Sequence, residues 1–487
     1  MPRSIKNSVA GNEFGLVTYR AEKPSALISY VFDFIFDLLG LPSRETTEPQ
    51  CAIYYGEPNR APENALVIPQ RSSDLIWEGS PEPSRQPGTL SSPVFPFDVV
   101  NSIRRFLTDD VNRDAGQADC DEHGRLLFVG SFQGRSGIGE SPTVNEYARV
   151  LGCWLTEHLG ITAVPAWPNG RRCAIGLSHD VDRVARRSKT LFWPPYAFNL
   201  SKYANLMVAR QRLWHVRQLF RFPLLDDIAL FKQVIRLETD HGCSSTFFFA
   251  SRNRFGRHAS LLDVQYDIRN RRLRGLLADL RKRGFGIGLH SSYRAFEAPG
   301  RFAEERRVLQ EISGAEVIGL RHHFWHLGAD ISATLAAHEA AGFEYDSSIA
   351  FNEHLGFRRS VAWPYYPWNE GLDRPLATMQ IPVFCMDGNL FYTSSSVDDA
   401  VEKIATIIGR IKAVGGVGAI DWHSDTANAA TPGYRGWGEA YERLVRMLAN
   451  DSEVWTTSLE TILDWVKARR LRLSKGASSS PDAPTVQ

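Results

Sequence analysis

The sequence predicts an α/β protein in which a distorted β/α barrel of seven or eight units follows a smaller α/β or α+β domain. From residue 170 onward, short apolar runs alternate with segments of helical apolar spacing, often with a glycine between them. Strand, helix, glycine and strand in succession are typical of βα units and a parallel sheet. Roughly 300 residues follow that point, enough for seven or eight such units to close on themselves. The apolar runs are CAIGLSHD, STFFFAS, GFGIGLHSS, EVIGLRHHF, FEYDSSIAF, MQIPVF, GVGAIDWHSD and EVWTTSL. The segments of helical spacing include DIALFKQVIRLETDHG, RRLRGLLADLRKRG, ISATLAAHEAAG and VDDAVEKIATIIGRIKAVGG.

The domain boundaries follow from changes in composition. ITAVPAWPNG, which carries two prolines and a glycine, comes after a predicted helix, NEYARVLGCWLTEHLG, and marks a boundary near residue 168. We therefore expect an N-terminal domain over 1–168 and the barrel over 169–473. Residues 474–487 are small and polar, which predicts a disordered tail.

Composition excludes several classes of protein. The 487 residues carry a formal net charge of +1, which argues against a dedicated nucleic-acid-binding protein. The six cysteines are scattered without a CxxC pair, as in a protein with reduced thiols. The most apolar segment, ALISYVFDFIFDLLGL, is too short and too charged to span a bilayer and predicts an amphipathic or core helix. With no apolar leader at the start, we expect a cytoplasmic location.

Polar residues stand where the predicted barrel strands end. In a β/α barrel the carboxyl ends of the strands share one face, and that face carries the active site. This concentration of Asp, His and Arg indicates an enzyme. The residues are Asp180 and Asp182, His290, Arg321 with His322 and His323, Asp346, and Asp421 with His423.

The first of these groups, SHDVD, has two interpretations. Two close carboxylates repel each other, so Asp180 and Asp182 indicate a bound cation or a catalytic proton. Alternatively, the segment is a turn in which one Asp caps the next helix. No role follows from the sequence for His179.

The ordered set SHDVD, STFFF, GLHSS, GLRHH, IPVFCMD and DWHS resembles the polysaccharide deacetylases, carbohydrate esterases with a NodB-type homology domain. The resemblance covers roughly residues 170 to 470. It implies a distorted β/α barrel that removes acetyl groups from N-acetylated sugars with a divalent metal. The upstream segment from FPFDVVNSIRRFLTDD to SPTVNEYARVLG resembles a domain of unknown role that precedes the barrel in some bacterial members.

The resemblance assigns roles residue by residue. Asp180 matches the general base and Asp182 the metal-binding Asp. His290 matches the first metal-binding His of the second motif. Arg321 stands where the family has an Arg that orients the base, and His423 matches the His that protonates the leaving amine.

One departure concerns the second motif, which in the family ends in a second His. Here it is HSSYR, with Arg294 at that position. A catalytic zinc normally has three protein ligands, and the RHHFWH cluster could supply the third. The spacing of His323 from Arg321 resembles an Arg-x-His pattern of members with the upstream domain, which implies His323 as a ligand with Asp182 and His290. The metal is expected to be Zn²⁺, with Co²⁺ or Ni²⁺ as alternatives. Arg294 is expected to bind an anionic group of the substrate, and Trp422 to contact the substrate as well.

Other polar residues have simpler explanations. Of the remaining histidines, His326 is predicted to be structural or exposed, and His338 and His354 to lie on the surface. Asp346 is expected to hydrogen-bond a loop and Asp387 to belong to a turn. For Asp421, orientation of His423 and a place in the core remain equal alternatives.

The stretch from Arg183 to Pro223 has nine Lys or Arg and no Asp or Glu. Residues 200–222 fit either a helix covering the barrel or a peripheral contact with an anionic membrane. In the second case the protein would be cytoplasmic and peripheral at the inner membrane. A membrane contact would suit a lipid-linked sugar.

The sequence thus predicts a hydrolase that removes acetyl groups from an N-acetylated sugar in envelope or polysaccharide biosynthesis. The sugar would be part of a glycan or linked to a lipid or a nucleotide. Two alternatives remain: a metal-independent amide hydrolase of a small nitrogen compound on the same barrel, and a non-catalytic glycan-binding protein. Neither the substrate nor the oligomeric state follows from the sequence.

Overall fold

The structure is a computed structural model that describes residues 15–71, 93–184, 227–253, 255, 259–431 and 433–478. The predicted membrane-contacting segment 200–222 lies outside these residues. Within the described part of the chain, no helix is long and apolar enough to cross a membrane. The six cysteines are free thiols.

The N-terminal region contains a small parallel sheet covered by helices. Its four strands are β1 (Val17–Ala21), β2 (Ser43–Glu45), β3 (Ile53–Gly56) and β4 (Leu66–Pro69), in the spatial order β2-β1-β3-β4. The helices are α1 (Ala26–Leu39), α2 (Val99–Leu107), α3 (Phe132–Arg135) and α4 (Thr143–Leu159). The most apolar segment of the sequence forms α1. Its N-cap Ser25 accepts a hydrogen bond from the Ile28 amide, and Gly40 ends it with a φ of 74°.

The second sheet is entirely parallel and forms the predicted barrel. Its strands are β5 (Cys173–Val181), β6 (Thr246–Phe249), β7 (Gly286–Ser291), β8 (Gly319–His322), β9 (Tyr345–Asp346), β12 (Met379–Gln380), β13 (Val383–Met386), β14 (Val417–Asp421) and β15 (Val454–Thr457). Between β9 and β12, β10 (Trp368–Asn369) and β11 (Arg374–Pro375) form a short antiparallel ribbon. The described helices around the sheet are α5 (Asp227–Asp240), α6 (Arg271–Lys282), α7 (Gly300–Ser313), α8 (Ile331–Ala340), α9 (Asp387–Thr393), α10 (Val397–Ala413), α11 (Arg435–Asn450) and α12 (Leu459–Ser478). The predicted fold class is therefore confirmed.

A split strand closes the barrel. The strand order runs β12-β9-β8-β7-β6-β5-β14-β13, and β15 pairs with the beginning of β5. The two ends of this order, β12 and β13, are joined in the chain by only Ile381 and Pro382. The Ile381 amide donates to the Asp346 carbonyl of β9 at 2.9 Å, and the Ala419 amide of β14 donates to the Pro382 carbonyl at 2.7 Å. Proline has no amide hydrogen, which suits the residue at which the chain exchanges one neighbour for the other.

The N-terminal region and the barrel share one hydrophobic core. Its largest cluster contains side chains from both sides of residue 168, including Phe32 of α1 and Leu463 of α12. Beside it, Asp37 of α1 forms ion pairs with Arg469 and Arg470 of α12. The boundary at 168 stays a prediction. The boundary at 473 needs a correction, because α12 continues through Ser478 before the described residues end.

Candidate active site

Alternation along β5 sends its polar residues to opposite faces of the strand. Asp180 points into the barrel and contacts Arg321, whereas His179 points outward and stacks on Phe247 with 4.5 Å between ring centroids. The ring of His179 also bonds Glu238 of α5, at 2.7 Å from Nε2 to Oε1. Successive side chains of a strand point to opposite faces. The SHDVD motif therefore places Asp180 in the barrel interior and His179 in the contact with α5.

Asp182, His290 and His323 come together at the carboxyl ends of the strands. Each offers one ligand atom, and these atoms lie within 4.8 Å of one another. His290 Nε2 is 3.2 Å from Asp182 Oδ1, and His323 Nε2 is 3.6 Å from Asp182 Oδ2. About 24% of the Asp182 side chain is exposed, whereas the two rings are buried. The group is therefore open to solvent on one side.

The donor atoms of this group fit a divalent cation. His290 Nδ1 lies 3.1 Å from the Arg321 carbonyl, which can only accept, so Nδ1 carries the hydrogen and Nε2 presents a lone pair. His290 Nε2 and Asp182 Oδ1 are buried and face each other at 3.2 Å, and neither has another hydrogen-bond partner among the described residues. Two imidazoles and one carboxylate with an open side are the ligand set of many catalytic zinc sites. The geometry of these residues therefore suits the predicted metal.

Asp180 is held as an anion beside this group. Arg321 Nη1 lies 3.1 Å from Asp180 Oδ1, and the guanidinium is fixed by Ser178 Oγ, Ser347 Oγ and the Ser347 carbonyl, at 2.9, 3.1 and 2.8 Å. Burial would raise the pKa of Asp180, but the positive charges of His290, Arg321 and His423 lower the pKa below its ordinary value. Asp180 Oδ2 faces His290 Nε2 at 3.8 Å.

Asp421 also pairs with Arg321 rather than with His423. Its Oδ1 is 3.0 Å from Arg321 Nη1, and the carboxyl group is completely buried. Burial raises the pKa of Asp421 above its ordinary value, with a smaller contribution from Asp180. Of the two alternatives left open by the sequence, the geometry favours a place in the buried interior, where Asp421 shares the Arg321 guanidinium with Asp180.

His423 has a different carboxylate partner, Asp387, which the sequence pattern placed in a turn. Asp387 is the first residue of α9, and its Oδ1 lies 2.7 Å from His423 Nδ1. The His423 amide donates to Oδ2 at 3.1 Å, and the Thr426 hydroxyl bonds the same oxygen. Burial would lower the pKa of His423, but Asp387, with Asp182 and Asp421, raises the pKa well above its ordinary value. Asp387 directly follows β13, so the rule that placed the other polar residues at strand ends applies to it as well.

Two residues predicted to touch the substrate lie elsewhere. Trp422 is completely buried and packs on Tyr441, with 5.1 Å between ring centroids. It alternates with the inward-facing Asp421 and His423, so it faces the helices, and its predicted substrate contact is wrong. Arg294 is 57% exposed and pairs with Glu297 at 3.4 Å, outside the Asp182 group. Its contact with an anionic substrate group stays a prediction.

The remaining histidines are only partly as predicted. His338 is completely buried, with its Nε2 2.7 Å from His322 Nε2, so its predicted surface position is wrong. His326 is structural as predicted, with Nδ1 3.0 Å from the Tyr293 carbonyl. His354 stacks on Phe128 at 3.6 Å between centroids and is half-buried. Asp346 bonds the Ser348 hydroxyl, as expected for a loop contact.

Comparison with known proteins gives structural similarity but no sequence match. No family model and no curated protein matches the chain. A structure from Mycobacterium smegmatis, classed as a polysaccharide deacetylase, is 16% identical, with a TM-score of 0.40 over 66% of this chain and 99% of that one. Another of that class, from Pseudomonas aeruginosa PAO1, is 14% identical, with a TM-score of 0.40 over 64% and 96%. A 4-alpha-glucanotransferase from Thermococcus litoralis is 14% identical, with a TM-score of 0.37 over 60% and 40%.

The first two structures belong to the family that the motifs resemble, and the third has a different activity. Similarity at this level concerns the course of the chain through the barrel. The chemistry of this protein is therefore inferred from its own side chains.

Proposed function

We propose that this protein is a metal-dependent deacetylase that removes an acetyl group from the nitrogen of an N-acetylated sugar. One observation carries the proposal: a carboxylate and an imidazole both face the Asp182 group, with Asp180 Oδ2 3.8 Å from His290 Nε2 and His423 Nε2 3.6 Å from Asp182 Oδ2. Their surroundings lower the pKa of Asp180 and raise the pKa of His423. Two titratable groups whose pKa values are pushed apart are suited to act as base and acid in one reaction.

Asp182, His290 and His323 would hold the cation. A divalent ion bound there supplies a Lewis acid for the carbonyl oxygen of the acetyl group. His290 suits this role because the Arg321 carbonyl fixes its Nδ1 hydrogen, which leaves Nε2 facing Asp182 Oδ1 at 3.2 Å. Such a partner on the second ring nitrogen is what orients a histidine ligand.

Asp180 would take the proton of the attacking water. Its Oδ1 is occupied by Arg321, so Oδ2, which faces His290 Nε2 at 3.8 Å, is the oxygen that can accept the proton. The guanidinium keeps the carboxylate in one orientation and ionised at neutral pH. As the water oxygen bonds to the acetyl carbon, its proton passes to Asp180.

His423 would complete the cleavage by protonating the leaving nitrogen. Asp387 binds Nδ1, so the second nitrogen, Nε2, carries the transferable proton and lies 3.6 Å from Asp182 Oδ2. The bond between the acetyl carbon and nitrogen then breaks, giving acetate and an amine. About 24% of the His423 side chain is exposed, so a substrate can reach it from outside.

The sugar part of the proposal is supported by the sequence motifs, and it needs a direct test. Purified protein, freed of metal with a chelator and reloaded with Zn²⁺, Co²⁺ or Ni²⁺, is incubated with N-acetylglucosamine oligomers, and released acetate is measured. We expect acetate only from a reloaded enzyme, and a loss of at least about 10²-fold in kcat for Asp180→Asn, as is typical for a general base.

The matched control is Asp267→Asn, since Asp267 is an exposed carboxylate paired with Arg269. It should retain full activity. Equal acetate release from the chelated and the reloaded enzyme would favour a metal-free amide hydrolase. Absence of acetate under every loading condition would overturn the proposal for this class of substrate.

A further inference from the structure

His323 reaches the candidate metal site from a turn with an unfavourable backbone. The two residues after it, Phe324 and Trp325, have φ values of 61° and 51°. Bulky side chains rarely adopt this left-handed region, and such a conformation persists only where neighbouring groups hold it. The direction of the His323 ring therefore depends on whatever fixes this turn.

One side of the turn is fixed by the barrel itself. Trp325 is only 5% exposed and belongs to the large hydrophobic core. His326 follows it and bonds the Tyr293 carbonyl, at 3.0 Å from Nδ1. The His326 amide also donates to the His323 carbonyl at 3.2 Å. These contacts hold the end of the turn and the His323 carbonyl, but none of them binds the Phe324 carbonyl.

The Phe324 carbonyl is held by the N-terminal region. Arg125 Nη1 donates to the Phe324 carbonyl at 2.5 Å and to Asn352 Oδ1 at 2.9 Å. Asp121 fixes the guanidinium from the other side, with Oδ2 2.8 Å from Nε and 2.7 Å from Nη2. Only 15% of the Arg125 side chain is exposed. A planar guanidinium held by several acceptors is well suited to fix one carbonyl in space.

His123, two residues before Arg125, contacts both loops beside the candidate metal site. Its Nδ1 is 2.7 Å from the hydroxyl of Tyr293, the residue that precedes Arg294 in the HSSYR motif. Its ring lies 5.3 Å from that of Phe324, which in turn lies 4.8 Å from that of His323. We call residues 121–125 the brace, because the segment supports the turn of His323 from outside the barrel.

We propose that Arg125 is a positioning residue of the metal site, through which the N-terminal region sets the direction of the third ligand, His323. The inference rests on the proposed function, since it assumes that His323 binds a cation. It also gives the N-terminal region a role, because Arg125 adds a bond to the Phe324 carbonyl in the turn that carries His323.

The test measures the affinity for Zn²⁺ alone, by competition with a chromophoric chelator, so it needs no substrate. We expect Arg125→Ala to weaken zinc binding by roughly tenfold, the lower end of the effect of removing a group that orients a ligand. Arg113→Ala is the matched control, because Arg113 also links the N-terminal region to the barrel, through Glu370 at 2.9 Å, but does not contact the turn. Its zinc affinity should equal that of the wild type.

A second comparison shows whether Arg125 acts through His323. In a His323→Ala background, Arg125→Ala should cause no further loss, because the ligand it positions is already gone. An equal loss in both backgrounds would overturn the inference. So would wild-type affinity in Arg125→Ala, and that result would leave the proposed function intact. If the wild type itself binds no zinc, the proposed function fails first and the inference fails with it.

Asp121→Asn is a second variant that tests the inference even where Arg125→Ala does not fold. It keeps the side-chain oxygen that accepts from the His123 and Arg125 amides, at 2.8 and 3.0 Å, and removes the charge that fixes the guanidinium. We expect a smaller loss of zinc affinity in the same direction. A folded Asp121→Asn protein with unchanged affinity, beside an unfolded Arg125→Ala protein, would overturn the inference.

Discussion

His423 follows β14 and Asp387 begins α9, yet their side chains form one hydrogen-bonded pair. Asp387 accepts from the ring, from the His423 amide and from the Thr426 hydroxyl, so the carboxylate has few other orientations open to it. The pair fixes which nitrogen faces the Asp182 group and favours the charged imidazole. An acid in this position needs both properties.

We expect Asp387→Asn to lower kcat by about 10²-fold while KM changes little, because the amide neither stabilises the imidazolium nor enforces one ring tautomer. The measurement is steady-state acetate release at several substrate concentrations. Asp398→Asn is the control, since Asp398 is an 86% exposed carboxylate near the start of α10. A variant of Asp387 with wild-type kcat would show that the pair has no part in the reaction.

The same residues show how far single positions can be predicted. Asp180, Asp182, His290 and His423 each stand in a short motif at a strand end, so their shared face follows from the alternation of strands and helices along the chain. Asp387 fits a turn because Gly388 follows it, although it too ends a strand. Its partner lies 36 residues away, and nothing local in the sequence specifies that contact.

At the scale of the elements, alternation along two neighbouring strands decides which side chains reach the site. On β5, Asp180 faces inward and His179 faces α5; after β14, His423 faces inward and Trp422 faces α11. The two outward residues also contact each other, since His179 Nδ1 lies 2.7 Å from the Trp422 carbonyl. The layer behind the site is therefore built from the same motifs as the site itself.

The interface between β8 and α8 contains a buried pair of histidines. His322 and His338 meet through their Nε2 atoms at 2.7 Å, and neither ring is exposed. Burial lowers the pKa of His338 to about 3. A surface position was predicted for His338 because an isolated histidine in a helix is commonly exposed. The prediction is wrong because His338 contacts His322 of β8, which lies 16 residues away in the chain.

This burial predicts how stability depends on pH. Unfolded, His338 titrates near pH 6.5, and folded only near pH 3, so the unfolded state binds more protons between these values. Its contribution is thus complete above pH 6.5 and is lost as the pH falls, by about 1.4 kcal/mol per pH unit. Between pH 6.5 and 5, His338→Gln should remove about 2 kcal/mol of the wild-type decrease in unfolding free energy.

Urea titrations at both pH values measure that difference. His241→Gln is the control, because His241 is partly exposed and its ring bonds a backbone group, the Leu237 carbonyl of α5, at 2.8 Å. It should reproduce the wild-type decrease. If His338→Gln loses stability with falling pH as steeply as the wild type, the histidine is not held neutral in the folded protein.

For the whole molecule, the barrel is predictable because local apolar periodicity marks each βα unit. Its closure is not: the run MQIPVF contains the split strand, but nothing in the sequence indicates that its two halves pair with β9 and β14. The contact between the brace and the turn of His323 is not predictable either. Arg125 and Phe324 are 199 residues apart, and their contact depends on how two sheets share a core.

The N-terminal region therefore contributes to the structure of the site. Its small sheet and helices pack into the same hydrophobic cluster as the barrel, and its brace reaches the loops beside the Asp182 group. In the HSSYR motif, Arg294 stands where the family that the motifs resemble has a second histidine. His323 Nε2 instead lies 3.6 Å from Asp182 Oδ2. The central claim is that His323 preserves a metal site in the absence of that histidine.

The most direct test is the metal content of purified protein, determined by elemental mass spectrometry after loading with Zn²⁺ and removal of the excess. His323→Ala is compared with His241→Ala, which removes a partly exposed histidine whose ring bonds the Leu237 carbonyl, outside the site. We predict close to one zinc per chain in the wild type and in His241→Ala, and a large loss in His323→Ala. Wild-type protein without zinc, or His323→Ala with its full content, would contradict the claim.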